Sequence, residues 1–160
     1  MIRLDIPGFG TREIAKVVTD YSGTHAFAGA LRDGVRRRLA RLAQQVEVHV
    51  LTSDTFGTAA RELEDLPVEL HLLSGTRHDE QKRAYALEHD AGHVAAFGNG
   101  KNDRLMLEAV RDAGGLAFAV DNGEGCALDA ILAADLFVHG SENALDLLLD
   151  TDRCVATLRF

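Results

Sequence analysis

Short β-branched runs alternate with longer stretches of helical period along nearly the whole chain, and this alternation constrains the fold more than any other feature. Residues 14–19, 46–51, 68–73, 93–97, 115–120 and 135–138 are expected to be buried strands. After the first of them, Leu31, Val35, Leu39 and Leu42 recur at i, i+4, i+8 and i+11, which puts them on one helix face. Residues 58–66, 79–91, 103–113, 126–133 and 142–149 are expected to be further helices. Strand–helix alternation implies right-handed βαβ units, hence a three-layer α/β domain over residues 1–160 with one parallel sheet covered on both faces. Two outlying runs, residues 2–6 and 155–160, also have strand character and are expected to pair with each other as an antiparallel edge.

In parallel sheets of this kind, ligands bind beyond the carboxyl ends of the strands. The first strand is followed by Asp20-Tyr21-Ser22-Gly23-Thr24, and the second by Thr52-Ser53-Asp54-Thr55. Lys82 lies near the start of the helix after the third, and Gly98-Asn99-Gly100-Lys101-Asn102-Asp103 follows the fourth. Four consecutive strands therefore deliver a carboxylate, a hydroxyl, an ammonium and a second carboxylate to one end of one sheet. Phosphoryl transfer through an aspartyl phosphate needs such a set: a carboxylate attacks phosphorus, a cation offsets the repulsion between anions, and further donors hold the equatorial oxygens. Mg²⁺ is the expected ion, because it prefers hard oxygen ligands. The chain has only three lysines, Lys16, Lys82 and Lys101, and two of them fall in these segments.

Composition narrows the partners. The chain has 160 residues, with 25 Asp and Glu against 17 Lys and Arg. The net charge of −8 disfavours nucleic acid and anionic membranes. No basic flank with an apolar run opens the chain, and no apolar stretch reaches the roughly 18 residues of a membrane span, so a cytoplasmic protein is expected. The two cysteines, Cys126 and Cys154, have neither disulfide-framework nor zinc-ribbon spacing. His89 and His93 have the i, i+4 spacing of a metal pair, but Gly92 intervenes and surface histidines are expected. Arg36, Arg37, Arg38 and Arg41 are read as the solvated face of the first helix.

These segments resemble the haloacid-dehalogenase-like (HAD) superfamily, and within it the phosphorylation domain of P-type cation-transporting ATPases. DYSGT at 20–24 is similar to Asp-Lys-Thr-Gly-Thr, TSD at 52–54 to Thr-Gly-Asp, and GNGKND at 98–103 to Gly-Asp-Gly-x-Asn-Asp. Ala133-Ala134-Asp135 resembles a recurring Ala-Ala-Asp element, and all four occur in family order. The resemblance implies a Rossmann-like HAD fold and a soluble, P-type-ATPase-like phosphatase that hydrolyses phosphate monoesters. Asp20 would be the nucleophile, Thr52 would bond the phosphoryl group and Lys82 would neutralise it, with Ser53 and Asn102 lining the phosphate. Asp20, the backbone carbonyl of Ser22, Asn99 and Asp103 would hold Mg²⁺, and Thr24 would support the loop.

The intervals between motifs leave no room for the large cap domains of many relatives, so the domain is expected to be capless. An open site suits a phosphorylated macromolecule, or a small phosphate ester covered by a neighbouring subunit; with two spare terminal strands, a homo-oligomer is plausible. Two positions depart from the family pattern. Ser22 stands where most phosphatases of the superfamily carry a second Asp as general acid/base, and a hydroxyl is a poor base near pH 7. Asn99 stands where an Asp near the metal is usual, which removes one negative charge. These departures motivate an alternative, a catalytically weak or inactive phosphate- and Mg²⁺-binding regulatory module. Simple structural readings also remain open: Thr52 and Asp54 as caps of the next helix, and GNGKND as a turn.

Overall fold

The computed structural model describes residues 1–54 and 57–160; Thr55, the last residue of the second post-strand segment, lies outside them. The strands in chain order are β1 (Ile2–Ile6), β2 (Gly10–Ile14), β3 (Lys16–Asp20), β4 (Ala26–Phe27), β5 (Ala30–Leu31), β6 (Glu47–Thr52), β7 (Glu69–Leu72), β8 (Val94–Gly98), β9 (Leu116–Asp121) and β10 (Leu136–His139). The α-helices are α1 (Asp33–Leu42), α2 (Ala59–Leu63), α3 (His78–Glu88), α4 (Arg104–Ala113), α5 (Leu128–Ala133), α6 (Ser141–Leu149) and α7 (Thr151–Leu158).

Six strands form one sheet in the order β10-β9-β8-β3-β6-β7, and every pairing in it is parallel. Its central strands are apolar on both faces because both are covered. Val17, Val48, Val50, Ala95, Phe97, Phe118 and Val120 pack in one cluster with residues of α1, α6 and α7. Their neighbours Val18, Leu51, Ala96 and Ala117 join Ala86 of α3, Met106, Leu107 and Val110 of α4, and Ala130 and Ala133 of α5 in the second. This is the expected three-layer arrangement. The topology reverses beside β3, whose neighbours are β8 and β6, and ligand crevices form at such a switch point. Only the two-residue strands β4 and β5 stand between β3 and α1.

The termini differ from expectation. Ile2–Ile6 is a strand, but it pairs antiparallel with Gly10–Ile14 in a separate hairpin. Residues 155–160 are not its partner: Thr151–Leu158 is helical, with Cys154 buried and α7 packed against β1. A short apolar run does not distinguish strand from helix by itself, and Ile2–Ile6 finds its partner in the next strand along the chain, across a three-residue turn. The first expected strand also divides, since Ile14 closes β2 and β3 begins at Lys16.

The basic run on α1 is only partly a solvated face. Arg38 makes paired hydrogen bonds of 2.8 and 2.9 Å to Asp146 and one of 2.8 Å to Glu142, tying α1 to α6. Such two-pronged guanidinium–carboxylate contacts are geometrically selective as well as attractive.

Candidate active site

Asp20 ends β3 at the centre of the sheet's carboxyl edge, and its carboxylate meets a lysine from a different layer. Lys82 Nζ donates to Asp20 Oδ1 at 2.7 Å and to Asp103 Oδ1 at 2.7 Å. All three are interior groups: Asp20 is 6%, Lys82 1% and Asp103 0% exposed. Lys82 reaches them because it occupies the inward face of α3, one turn before buried Ala86. A charged residue at a core-facing helix position needs partners, and these two carboxylates are the partners.

Backbone geometry brings the second carboxylate in. Asp103 Oδ2 accepts the amides of Asn99 at 3.0 Å and Gly100 at 2.9 Å, folding the Gly98–Asp103 turn around it. Any side chain at Gly98 would collide with Asp103, since a Cβ there would lie 2.4 Å from the Asp103 Cβ. Thr24 Oγ1 lies 3.1 Å from Asp20 Oδ2 and 3.2 Å from Asn99 Oδ1, linking the two loops; its single hydrogen serves one of these at a time. Gly23, at φ +80°, is required here twice over: a Cβ would strain the left-handed backbone and come within 2.4 Å of Asn99 Nδ2.

Two carboxylates share one ammonium, and the electrostatics follow from that imbalance. Burial, reinforced by the charge of Asp103, pushes the Asp20 carboxyl up from 3.8 to about 6, against the opposing pull of Lys82 and Thr24. Burial alone would depress Lys82, but Asp103 and Asp20 outweigh it and hold the ammonium above its ordinary value. The cluster thus has an excess of negative charge and hard oxygen donors from Asp20, Asp103 and Asn99. Both properties suit a divalent cation of the Mg²⁺ type.

The remaining expected residues divide. Thr52 is buried at the end of β6, beside β3, and its Oγ1 accepts the Asp54 amide at 2.9 Å. Asp54 is a cap, as the simple reading held: its Oδ1 accepts the amides of Thr58 and Ala59, both at 2.9 Å, at the start of α2. Ser22 Oγ is buried and, among the described residues, has no hydrogen-bond partner. Ser53 is exposed next to Thr52. Asn102 is exposed and lines a shallow depression with Arg77, His78, Asp79 and Lys101 rather than joining the carboxylate cluster. His93 bonds Asp90 at 2.9 Å, and His89, half-buried, stacks on Tyr85. Sequence reading missed His25, which is buried with Nδ1 2.5 Å from Ser141 Oγ and is pushed down to about 3 by that burial. Burial also raises both thiols, Cys126 and Cys154, to about 11, so neither is a thiolate nucleophile at neutral pH.

No family model matches the chain. An uncharacterized protein of Methanocaldococcus jannaschii is 39% identical over 66 residues, which span 41% of this chain and 67% of that protein. Among solved structures, the chain is similar to a cobalt-bound deoxy-D-mannose-octulosonate 8-phosphate phosphatase from Haemophilus influenzae, with a TM-score of 0.66 and 20% identity over 91% of this chain and 90% of that one. It is also similar to a 3-deoxy-D-manno-octulosonate 8-phosphate phosphatase from Moraxella catarrhalis in complex with magnesium, phosphate and KDO, with a TM-score of 0.61 and 17% identity over 91% and 94% of the two chains. A zinc-transporting PIB-type ATPase matches over 79% of this chain and 20% of its own, with a TM-score of 0.57 and 23% identity. At these identities the structural matches carry the fold, and their shared architecture is the one described above. The chain has the fold of these haloacid-dehalogenase-type structures, and by sequence it forms one family with the Methanocaldococcus jannaschii protein.

Proposed function

We propose that residues 1–160 form a capless, Mg²⁺-dependent phosphatase domain that hydrolyses phosphate monoesters through an aspartyl phosphate at Asp20. One observation carries the reading: buried Lys82 bridges Asp20 and Asp103 at 2.7 Å each, at the carboxyl end of the central strands of a HAD sheet. Asp20 attacks phosphorus; the new carboxylate–phosphorus bond forms as the ester oxygen departs with its electron pair. Water then attacks phosphorus, releasing phosphate and restoring the carboxylate. Lys82 offsets charge on the transferred group, and the Thr52 hydroxyl, whose oxygen accepts the Asp54 amide, has its hydrogen left to donate to a phosphoryl oxygen. Asp20, Asp103, Asn99 and the Ser22 carbonyl would hold Mg²⁺, which supplies charge neutralisation between nucleophile and phosphate.

The substrate is a phosphorylated small molecule or a phosphoprotein, admitted at the carboxyl edge of the sheet, where the elements inserted between β3 and α1 are the two-residue strands β4 and β5. The free thiols support a cytoplasmic setting, and no helix among the described residues is long and apolar enough to cross a membrane.

The test is p-nitrophenyl phosphate hydrolysis with and without Mg²⁺, comparing wild type with Asp20→Asn. Mg²⁺-dependent turnover abolished by the substitution is expected. Saturable Mg²⁺ binding with equal, negligible rates in both proteins would instead favour a phosphate- and Mg²⁺-binding regulatory module, the reading that Ser22 at the usual general-acid position motivates.

A further inference from the structure

The β6–β7 edge of the sheet carries a second convergence of ligating groups, on the face turned towards α3. In β6, Glu47 and His49 alternate with Val48 and Val50, which enter the opposite core cluster. In β7, Glu69 is the register partner of His49, and His71 lies two residues further on, so all four share one face. From α3, Tyr85 reaches over them one turn after Lys82, and His89 follows one turn later.

We propose that His49, Glu69 and His71 form a binding site for a Zn²⁺-type transition-metal ion, distinct from the site at Asp20. One ligating atom from each lies within 4.8 Å of the others. Glu69 Oε2 is 3.7 Å from His49 Nδ1 and 3.5 Å from His71 Nε2. Four ligands about 2.0–2.1 Å from a tetrahedral Zn²⁺ lie roughly 3.3 Å from one another, so the two Glu69 edges are within a few tenths of an ångström of that spacing, and the two histidine nitrogens, within 4.8 Å of each other, would close on the ion. Two imidazoles and a carboxylate select zinc-like ions over Mg²⁺, which seeks an all-oxygen shell.

The surroundings orient these donors. His49 Nε2 lies 3.3 Å from Glu47 Oε2; when this nitrogen carries the proton, Nδ1 presents its lone pair to the site. A carboxylate behind a ligating histidine is the usual outer support of such centres. Tyr85 Oη lies 2.7 Å from His49 Nδ1 and 2.6 Å from His71 Nε2, between the two nitrogens. It therefore stands where a fourth ligand would stand, and moving outward by a fraction of an ångström would bring it to ligand spacing. His89, edge-on to His49 at 5.2 Å, adds a further imidazole beside the site; its Nδ1 donates to the Tyr85 carbonyl at 2.8 Å, which fixes the ring's orientation. An ion bound here would fasten β6 to β7 beneath the helix that carries Lys82.

The inference does not depend on turnover at Asp20, and the test separates the two sites. The full chain, stripped with chelator and held in saturating Mg²⁺ to fill the Asp20 site, is titrated with Zn²⁺ by calorimetry and with Co²⁺ by visible absorption. One equivalent is expected to bind, with the intense d–d bands of four-coordinate Co²⁺, and the melting temperature should rise with Zn²⁺ concentration. Asp20→Asn should bind as wild type does. His71→Ala should weaken binding by about 100-fold, at the upper end of what loss of even an outer-shell partner costs. The His71 side chain is 37% exposed and that of Glu69 64%, so Glu69→Gln provides a second variant should His71→Ala fold poorly. Absence of saturable Zn²⁺ binding in the wild type would overturn the proposal. So would binding that survives both substitutions, or that disappears with Asp20→Asn.

Discussion

Lys82 Nζ sits 2.7 Å from Asp103 Oδ1 with both side chains withdrawn from solvent, so the ammonium of α3 and the carboxylate after β8 are each other's means of staying charged in the interior. Removing the cation is therefore expected to be far worse than losing a surface pair. In Lys82→Met, both Asp103 and Asp20 are left buried without a counter-charge, and stability should fall by about 3–5 kcal/mol. Urea unfolding with and without Mg²⁺ measures this, and added Mg²⁺ should recover part of the loss. A change below about 1 kcal/mol, the range of exposed pairs, would mean that the cluster is already neutral through proton uptake.

The raised Asp20 carboxyl makes a signed expectation for pH. Its folded-state value is about 6 against 3.8 for the ordinary group, so folding favours the protonated form. Its contribution to stability is fully present below about pH 4 and is lost as pH rises through about 6. Other groups titrate in the same window, so the informative quantity is the melting-temperature difference between wild type and Asp20→Asn in chelator. Wild type should lose ground to the variant between about pH 4 and pH 7, then run parallel to it. Mg²⁺ should remove most of that slope, because a cation beside Asp20 favours its ionised form. A difference independent of pH would show that Asp20 is not the titrating member of the cluster.

Ser22 offers a gain-of-function experiment. Its Oγ is buried without a partner among the described residues, two positions beyond the proposed nucleophile. Ser22→Asp introduces a base where the chain has none, and phosphoenzyme decay in single-turnover experiments should quicken by about 10², the lower end of general acid–base contributions. Stability should fall in the absence of Mg²⁺, since a third carboxylate joins two that already share one lysine. Ser22→Asn controls for shape and should not accelerate decay. Equal rates in the two variants would place water activation elsewhere.

The sheet and the motif loops were legible because their signals are local. Continuous apolar runs mark strands buried on both faces, and the polar residues that follow them include the three that meet in the candidate site, Asp20, Lys82 and Asp103. Lys82 was harder to secure, as a lysine near a helix start is ordinarily solvated; its spacing to Ala86 at i+4 puts it on the inward face, and only the packed helix shows that this face is interior. The cluster of His49, Glu69 and His71 was not legible at all. Each is an alternate residue of a short strand, and their meeting depends on β6 and β7 being neighbours in one particular register. The C-terminal segment differs for a related reason: its short apolar run fits a helix as well as a strand, and the true partner of Ile2–Ile6 is Gly10–Ile14, a run too polar to stand out.

Asp54 separates support of the site from chemistry within it. Its carboxylate holds the first amides of α2, at Thr58 and Ala59, and its own amide donates to Thr52 Oγ1, all at 2.9 Å. It does this from a left-handed backbone, at φ +50°, which Asn tolerates better than Ala. Asp54→Asn should keep the cap and remain close to wild type. Asp54→Ala should cost about 1–2 kcal/mol in urea unfolding, through the lost cap and the strained backbone. Because the Asp54 amide orients Thr52, Asp54→Ala should also raise KM for a phosphate ester while kcat falls modestly. Thr52→Ala should show the opposite balance, with kcat reduced strongly because the hydroxyl's proposed partner is the phosphoryl group, and with stability lowered by about 1 kcal/mol because its oxygen also accepts the Asp54 amide. If Asp54→Ala instead reduced kcat as severely as Asp20→Asn, Asp54 would belong to the reacting groups rather than to their support.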